Sequence, residues 1–362
     1  MRPFRPARRP ALVGAALLLA ACAAGSLVFT QGPTRPAHAG HVPGHTGHPA
    51  AHTGTTTADG SPVGTIAMVA TNRVELLRHK GSITGDGSTV YVANRTEFRP
   101  AATKVGIPPW VRARAWVVVD LDTGRLLGKH HAREQLPQAS TMKLLTALTA
   151  IRTIAPGTLH RITKFESSQM CSCAGVERGR VYRRDTLLAG MLLPSGNDAA
   201  EAVAGSHPAG RRAFYRAMNR LAEELGARDT VARNASGLTA TGSHSSARDL
   251  VVLLRAAVAD ETIAGILAKR KAAITTANGR HSHVVWRSTD YVNRYEGSLG
   301  KSGYTTPAKN TLVVTTDIDG HRIAFAGLGA PSGYSTSGAR ALTEWASANF
   351  DGLEAVGRLP RP

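Results

Sequence analysis

The chain has 362 residues, of which 42% are hydrophobic, enough to bury the core of one large or two ordinary domains. Its 44 Lys and Arg against 25 Asp and Glu leave a net charge of +19, which suits an anionic partner or an anionic cell envelope. With only 5% aromatics, no zinc-finger spacing, no RNP motif and no dense basic block, the charge does not point to nucleic acid.

Arg2, Arg5, Arg8 and Arg9 open the chain, and residues 11–30 are uncharged and mostly apolar, the pattern of an export signal. Three outcomes are open. Ala37-His38-Ala39 offers a small-x-small cleavage site before Gly40, the preferred reading. Leu19-Ala20-Ala21-Cys22 reads as a lipobox that would leave Cys22 lipidated. An apolar stretch of about 20 residues is also long enough to remain as a membrane anchor. All three place the rest of the chain outside the cytoplasm, either secreted or attached to the outer face of the membrane.

Residues 31–63 are rich in Gly, Pro, Thr and His with no apolar period, and read as a disordered linker. His38, His41, His45, His48 and His52 fall there; spacer is preferred to metal site, because a disordered tract has no preset geometry. Residues 65–109 hold short strand-like runs such as STVYVAN and receive no function. The division is therefore 1–39 export segment, 40–108 linker and unassigned segment, 109–352 folded domain and 353–362 short tail.

Residues 113–129 read as two strands around Asp122-Thr123-Gly124. Helical patterns follow at 142–153, 185–193, 198–204, 211–225, 247–258 and 261–268. Cys171 and Cys173 form an even pair in an oxidising compartment; a disulfide and a free pair are held equal, and two cysteines do not make a zinc site. A second hairpin spans 310–317 and 322–328 around Asp319-Gly320, and a last helix spans 337–350. Strands at both ends with helices between predict one antiparallel sheet flanked by helices, an α+β form of the α/β class.

Three short segments carry chemistry. Ser140-Thr141-Met142-Lys143 places a serine and a lysine three positions apart, on one face of a helix start. Serine is inert until a neighbour takes its proton, so the pair is a candidate nucleophile and base. Alone it would read as an N-cap and a solvated charge. Ser195-Gly196-Asn197 lies between two helical patterns, where Ser195 can pass a proton to a leaving amine. The Asn197 amide can hold both the substrate amide and the Lys143 amine. Lys301-Ser302-Gly303 precedes a strand. There Lys301 supplies positive charge near a substrate carboxylate and lowers the pKa of Lys143, Ser302 supplies a hydroxyl, and Gly303 leaves room for the substrate backbone.

The order Ser-x-x-Lys, Ser-x-Asn, Lys-Ser-Gly, with the blocks PQASTMKLLTAL, DTLLAGMLLPSGNDAAEAVA, RNASGL, SARDL and GSLGKSGYT, resembles the low-molecular-weight penicillin-binding proteins, the serine D-alanyl-D-alanine carboxypeptidases. The likeness runs from about residue 110 to residue 350. It implies the β-lactamase/transpeptidase-like fold, with an all-helical part inserted into the sheet domain. It also implies cleavage of peptidoglycan stem peptides through an acyl-enzyme on Ser140, acylation by β-lactams, and no cofactor or metal. The oxyanion hole would be the backbone N–H groups of Ser140 and Tyr304. The usual family residue at 302 is threonine; Ser302 keeps the hydroxyl and drops a methyl.

The same residues also fit a DD-endopeptidase, a transpeptidase or a β-lactamase, the last needing a glutamate for which no counterpart stands out. A catalytically idle wall-binding protein is the non-enzyme alternative, opposed by the intact Ser140, Lys143, Asn197 and Lys301. The Asn234-Ala235-Ser236-Gly237-Leu238 block resembles a family segment near the site, although Gly237 alone could set a turn. His244 reads as a loop residue rather than a catalytic base, and His281 and His283 lie near an apolar run with no partner visible in the sequence.

Overall fold

The computed structural model describes residues 82–84, 90–92, 96–101, 104–106 and 108–361. The export segment, the His-rich linker and Cys22 lie outside the described residues.

Strands β1 (Ser82–Thr84), β2 (Val90–Val92), β3 (Thr96–Pro100) and β4 (Lys104–Gly106) precede the hairpin of β5 (Ala115–Asp120) and β6 (Arg125–His130). A 3-10 turn, Ala139–Met142, leads into α1 (Lys143–Thr153). Next come β7 (Leu159–Arg161), α2 (Lys164–Ser167), β8 (Val181–Arg183), α3 (Arg184–Leu192), α4 (Asn197–Gly205), α5 (Gly210–Glu224), α6 (Ala247–Ala259) and α7 (Glu261–Ala268). The hairpin β9 (Lys271–Thr275) and β10 (Ser282–Trp286) is followed by α8 (Asp290–Arg294), β11 (Leu299–Thr305), β12 (Lys309–Ile318), β13 (His321–Ala330), α9 (Ser335–Ala348) and β14 (Leu353–Glu354).

The main sheet has eight strands in the order β11-β12-β13-β5-β6-β3-β14, with β2 added on β3, and every pairing is antiparallel. Both its faces are covered. On β5, Ala115, Val117 and Val119 join a core shared with α1 and α3 to α7. Trp116 and Val118 point the other way, into a core with Tyr291, Ala339, Leu342 and Trp345. Two buried faces explain why AWVVV reads as an unbroken apolar run rather than an alternating one.

The sheet also draws strands from outside residues 109–352. Glu97 on β3 pairs with Lys129 on β6, and Leu353 on β14 pairs with Pro100. Phe98 anchors this edge; it is fully buried, with its ring 5.9 Å from Trp345.

Helix α1 is buried continuously from Lys143 to Ala150. A helix enclosed on all sides must hide its polar atoms internally. Thr149 Oγ1 accordingly donates to Leu145 O at 2.8 Å, and Thr146 Oγ1 to Ala235 O at 2.7 Å. Among the described residues no helix is long and apolar enough to cross a membrane.

Candidate active site

Ser140 does not open the α-helix itself. It sits in the 3-10 turn before α1, where residues i and i+3 eclipse more closely than in an α-helix. Lys143 Nζ accordingly reaches Ser140 Oγ at 2.8 Å. Ala139, just before the nucleophile, has φ 49°, a conformation costly for a non-glycine residue and held only by strong surroundings. Those surroundings are visible. Thr141 Oγ1 and, from β12, Thr311 Oγ1 both donate to Gln138 O, at 2.6 and 3.0 Å. Gly237 lies against the carbonyl of Ala139, where an added Cβ would come within 1.9 Å of the oxygen.

Lys143 is fully buried. Its amine reaches Asn197 Oδ1 and Ser236 O, each at 2.7 Å, besides Ser140. Burial drives its pKa well below the ordinary lysine value, and the nearby Lys301 pushes it further the same way. A neutral amine has two N–H donors and one lone pair. The two carbonyl oxygens can only accept, so they take the donors and leave the lone pair for the Ser140 hydroxyl proton.

Asn197 is the first residue of α4. Its Nδ2 donates to Met170 O at 2.7 Å, which fixes the amide and leaves one N–H for a substrate. Ser195 stands on the turn between α3 and α4 with φ 66°, and Gly196 is the N-cap of α4. Cys171 and Cys173 form a disulfide in the loop beside this turn, settling the alternative left open by the sequence. The loop is bound to the turn at several points. Asn197 N donates to Ser172 O at 2.7 Å, and the Asp198 carboxylate accepts from Ala174, Gly175 and Val176 N–H.

On the opposite wall, β11 carries Lys301, Ser302, Gly303 and Tyr304. Ser140, Ser195, Ser302, Gly303 and Tyr304 line a cleft of about 430 Å³. Lys301 lowers the pKa of Lys143, as the sequence leads one to expect. It does not line the cleft but is fully buried, with Nζ on Ser302 O at 2.7 Å. Burial lowers its pKa to about 7. Gly303 also differs: the space it frees is filled by the nucleophile turn, because an added Cβ would meet Ser140 N at 2.6 Å. Ser302 keeps a weak contact to Thr289 Oγ1 at 3.4 Å and remains available at the cleft.

Sequence reasoning passed over the Ser236 carbonyl, Met170 and Glu201. The block at 234–238 was the one signal for the first; Met170 and Ser236 act through backbone carbonyls, which every residue possesses. His283 finds a partner in Ala174 O at 2.7 Å and braces the disulfide loop. Among the described residues no cluster of His, Cys, Asp or Glu is arranged to hold a metal ion.

A cleft-lining serine hydrogen-bonded to a buried lysine, with a Ser-x-Asn turn on one wall and a Lys-Ser-Gly strand on the other, defines a serine acyl-transfer enzyme of the penicillin-binding type. The chain belongs to the D-alanyl-D-alanine carboxypeptidase family of serine peptidases, whose family model matches residues 102–332. It is 36% identical over 217 residues to the D-alanyl-D-alanine carboxypeptidase DacB2 of Mycobacterium tuberculosis, spanning 59% of this chain and 74% of that protein. It is 30% identical over 234 residues to a D-alanyl-D-alanine endopeptidase of Escherichia coli, spanning 62% of this chain and 74% of that one. A solved structure of a penicillin-binding protein homolog from Mycobacterium tuberculosis matches with a TM-score of 0.66 at 32% identity, covering 72% of this chain and 99% of the other. The antiparallel sheet with helices on both faces is the fold of these relatives.

Proposed function

We propose that the enzyme removes the terminal D-alanine from peptidoglycan stem peptides through an acyl-enzyme on Ser140. One observation carries the reading: the buried Lys143 amine lies 2.8 Å from Ser140 Oγ while two carbonyl oxygens occupy its other directions. Neutral Lys143 takes the hydroxyl proton as Oγ attacks the carbonyl of the penultimate D-alanine. The backbone N–H groups of Ser140 and Tyr304 stabilise the oxyanion. Ser195 gives its hydroxyl proton to the departing D-alanine amine and takes in its place the proton held by Lys143, and the C–N bond breaks. Water then attacks the ester while neutral Lys143 takes one of its protons and passes it to Ser140 Oγ, releasing the shortened peptide. Ser302 and the field of Lys301 receive the free carboxylate of the substrate. A β-lactam presents the same carbonyl and acylates the same serine.

The cleft supports this reading over a glutamate-assisted β-lactamase, because no glutamate is among its lining residues. Glu166 is fully buried and engaged by His160, Arg211 and the Thr163 N–H. The arginine-flanked apolar run at the N-terminus supports a location outside the cytoplasm, with the mature N-terminus deciding between secretion, lipidation and an anchor.

Mass spectrometry of the protein with penicillin, beside D-Ala release from diacetyl-Lys-D-Ala-D-Ala, tests the proposal. Both signals are expected, and both are expected to vanish in Ser140→Ala. An adduct that survives there and maps to another serine overturns the assignment. Cleavage of cross-linked dimers without release of terminal D-Ala would instead establish an endopeptidase.

A further inference from the structure

Glu201 lies on α4 four residues after Asn197, so the two side chains leave the same face of the helix. It is only 1% exposed. A carboxylate so buried is tolerated only when its oxygens are satisfied. Oε1 accepts the backbone N–H groups of Ala235 at 3.0 Å and Ser236 at 3.2 Å. Oε2 accepts the Tyr215 hydroxyl and faces Arg211 Nε at 3.5 Å. Thr146 of α1 holds the same segment through Ala235 O. The next link is the catalytic one, since Ser236 O is one of the two carbonyls bound to Lys143. One helical turn therefore governs both obligate acceptors of the amine: Asn197 directly, and Ser236 through Glu201.

We propose that Glu201 is a positioning residue for acylation, fixing the Ser236 carbonyl so that Lys143 must turn its lone pair to Ser140. The inference rests on the reading of Ser140 and Lys143 given above. If the 235–236 backbone is free to move, the amine can rotate about its terminal bond, and the lone pair leaves the hydroxyl. Glu201 acts in a second way, through its charge. Together with Asp198 it favours the protonated form of Lys143, against burial and against Lys301. The groups facing the carboxylate are Tyr215 and Arg211 of α5 and Lys143 of α1, with Asp198 on its own helix. Glu166 and His160 stand behind Arg211, and Lys301 of β11 behind Lys143.

Geometry and charge separate by substitution. Glu201→Gln keeps an oxygen for the two N–H groups and removes the charge. Glu201→Asp keeps the charge and withdraws the oxygens by one methylene. The measurement is the rate of acylation by a fluorescent penicillin against pH, with KM for diacetyl-Lys-D-Ala-D-Ala and the melting temperature taken alongside. Glu201→Gln is expected to hold most of the rate at its optimum and to move the acid limb to lower pH, because Lys143 then loses its proton more easily. Glu201→Asp is expected to lose about 10–100-fold in rate with the acid limb in place, the cost of a misplaced reacting group. KM should change little, since Glu201 does not line the cleft. Wild-type rates and limbs in both variants would overturn the proposal, leaving Glu201 a structural residue only. Lys143→Ala, read beside them, keeps the two claims distinct: undiminished acylation there overturns the parent reading, and this one with it.

Discussion

Gly303 and Ser140 touch through bare backbone. A side chain at 303 would press a Cβ to 2.6 Å from the nitrogen of the nucleophile, and to 2.7 Å from Thr311 Oγ1. The strand on one wall of the cleft thereby sets the height of the turn that carries the attacking hydroxyl. It also keeps the Ser140 N–H beside β11, next to the residue that would supply the second oxyanion donor.

Gly303→Ala should push the turn away from the strand. Overpacking of this kind costs about 1–3 kcal/mol of stability. The displaced nucleophile should lose about 100-fold in acylation. Urea unfolding and penicillin acylation read the two effects. Wild-type acylation in a folded alanine variant would show that turn and strand adjust independently.

Lys143→Arg should fail almost as completely as Lys143→Ala. Arginine keeps a positive charge but cannot become a neutral base at physiological pH. Near-normal acylation by the arginine variant would mean that the residue serves only as a charge.

Ser302→Ala should lower turnover of a free-acid D-Ala-D-Ala peptide more than that of a neutral ester analogue. A hydrogen bond to a carboxylate contributes about 1.5–3 kcal/mol, or roughly one to two decades in rate. Ser302→Thr keeps the hydroxyl and should be mild. The ratio of kcat/KM for acid and neutral substrates is the readout; an unchanged ratio in Ser302→Ala places the carboxylate elsewhere.

Lys301 should make stability depend on pH in an unusual direction. Its pKa falls from 10.5 in the unfolded chain to about 7 in the fold. Between those values the unfolded chain binds the extra proton, so stability rises with pH across that window and levels off outside it. The span is on the order of a few kcal/mol. Urea midpoints from pH 7 to 10 should climb less steeply in Lys301→Met than in wild type, with Lys143 retaining its own share. Equal slopes would show that Lys301 keeps its proton in the fold.

The sequence made legible what depends on short spacing. Ser140 and Lys143 meet because three residues make one tight turn, and the helix expected at 261–268 is α7, Glu261–Ala268. The two end hairpins meet in one sheet because each is strongly apolar. Glu201 was hidden for the opposite reason. A lone glutamate in a helical pattern reads as a solvated charge, and its partners are the backbone amides of a distant segment. The strand at Thr96–Pro100 was hidden because Glu97 and Arg99 interrupt it, leaving too few apolar positions to show a period. Lys301 looked like a cleft residue because nothing in its neighbours reveals that its amine folds back onto Ser302 O.

The register that pairs Leu328 with Ala115 bears on how the enzyme is born. Strand β5 emerges early in synthesis, yet one of its two neighbours, β13, comes only after the whole helical middle. Closing so long a loop is slow, and the contacts that reward it arrive last. A nascent chain that has already delivered Ser140, Lys143 and Asn197 still lacks Ser302 and the strand against which the nucleophile turn is set. Catalytic competence therefore waits for β11 and β13 to join the sheet rather than growing with chain length.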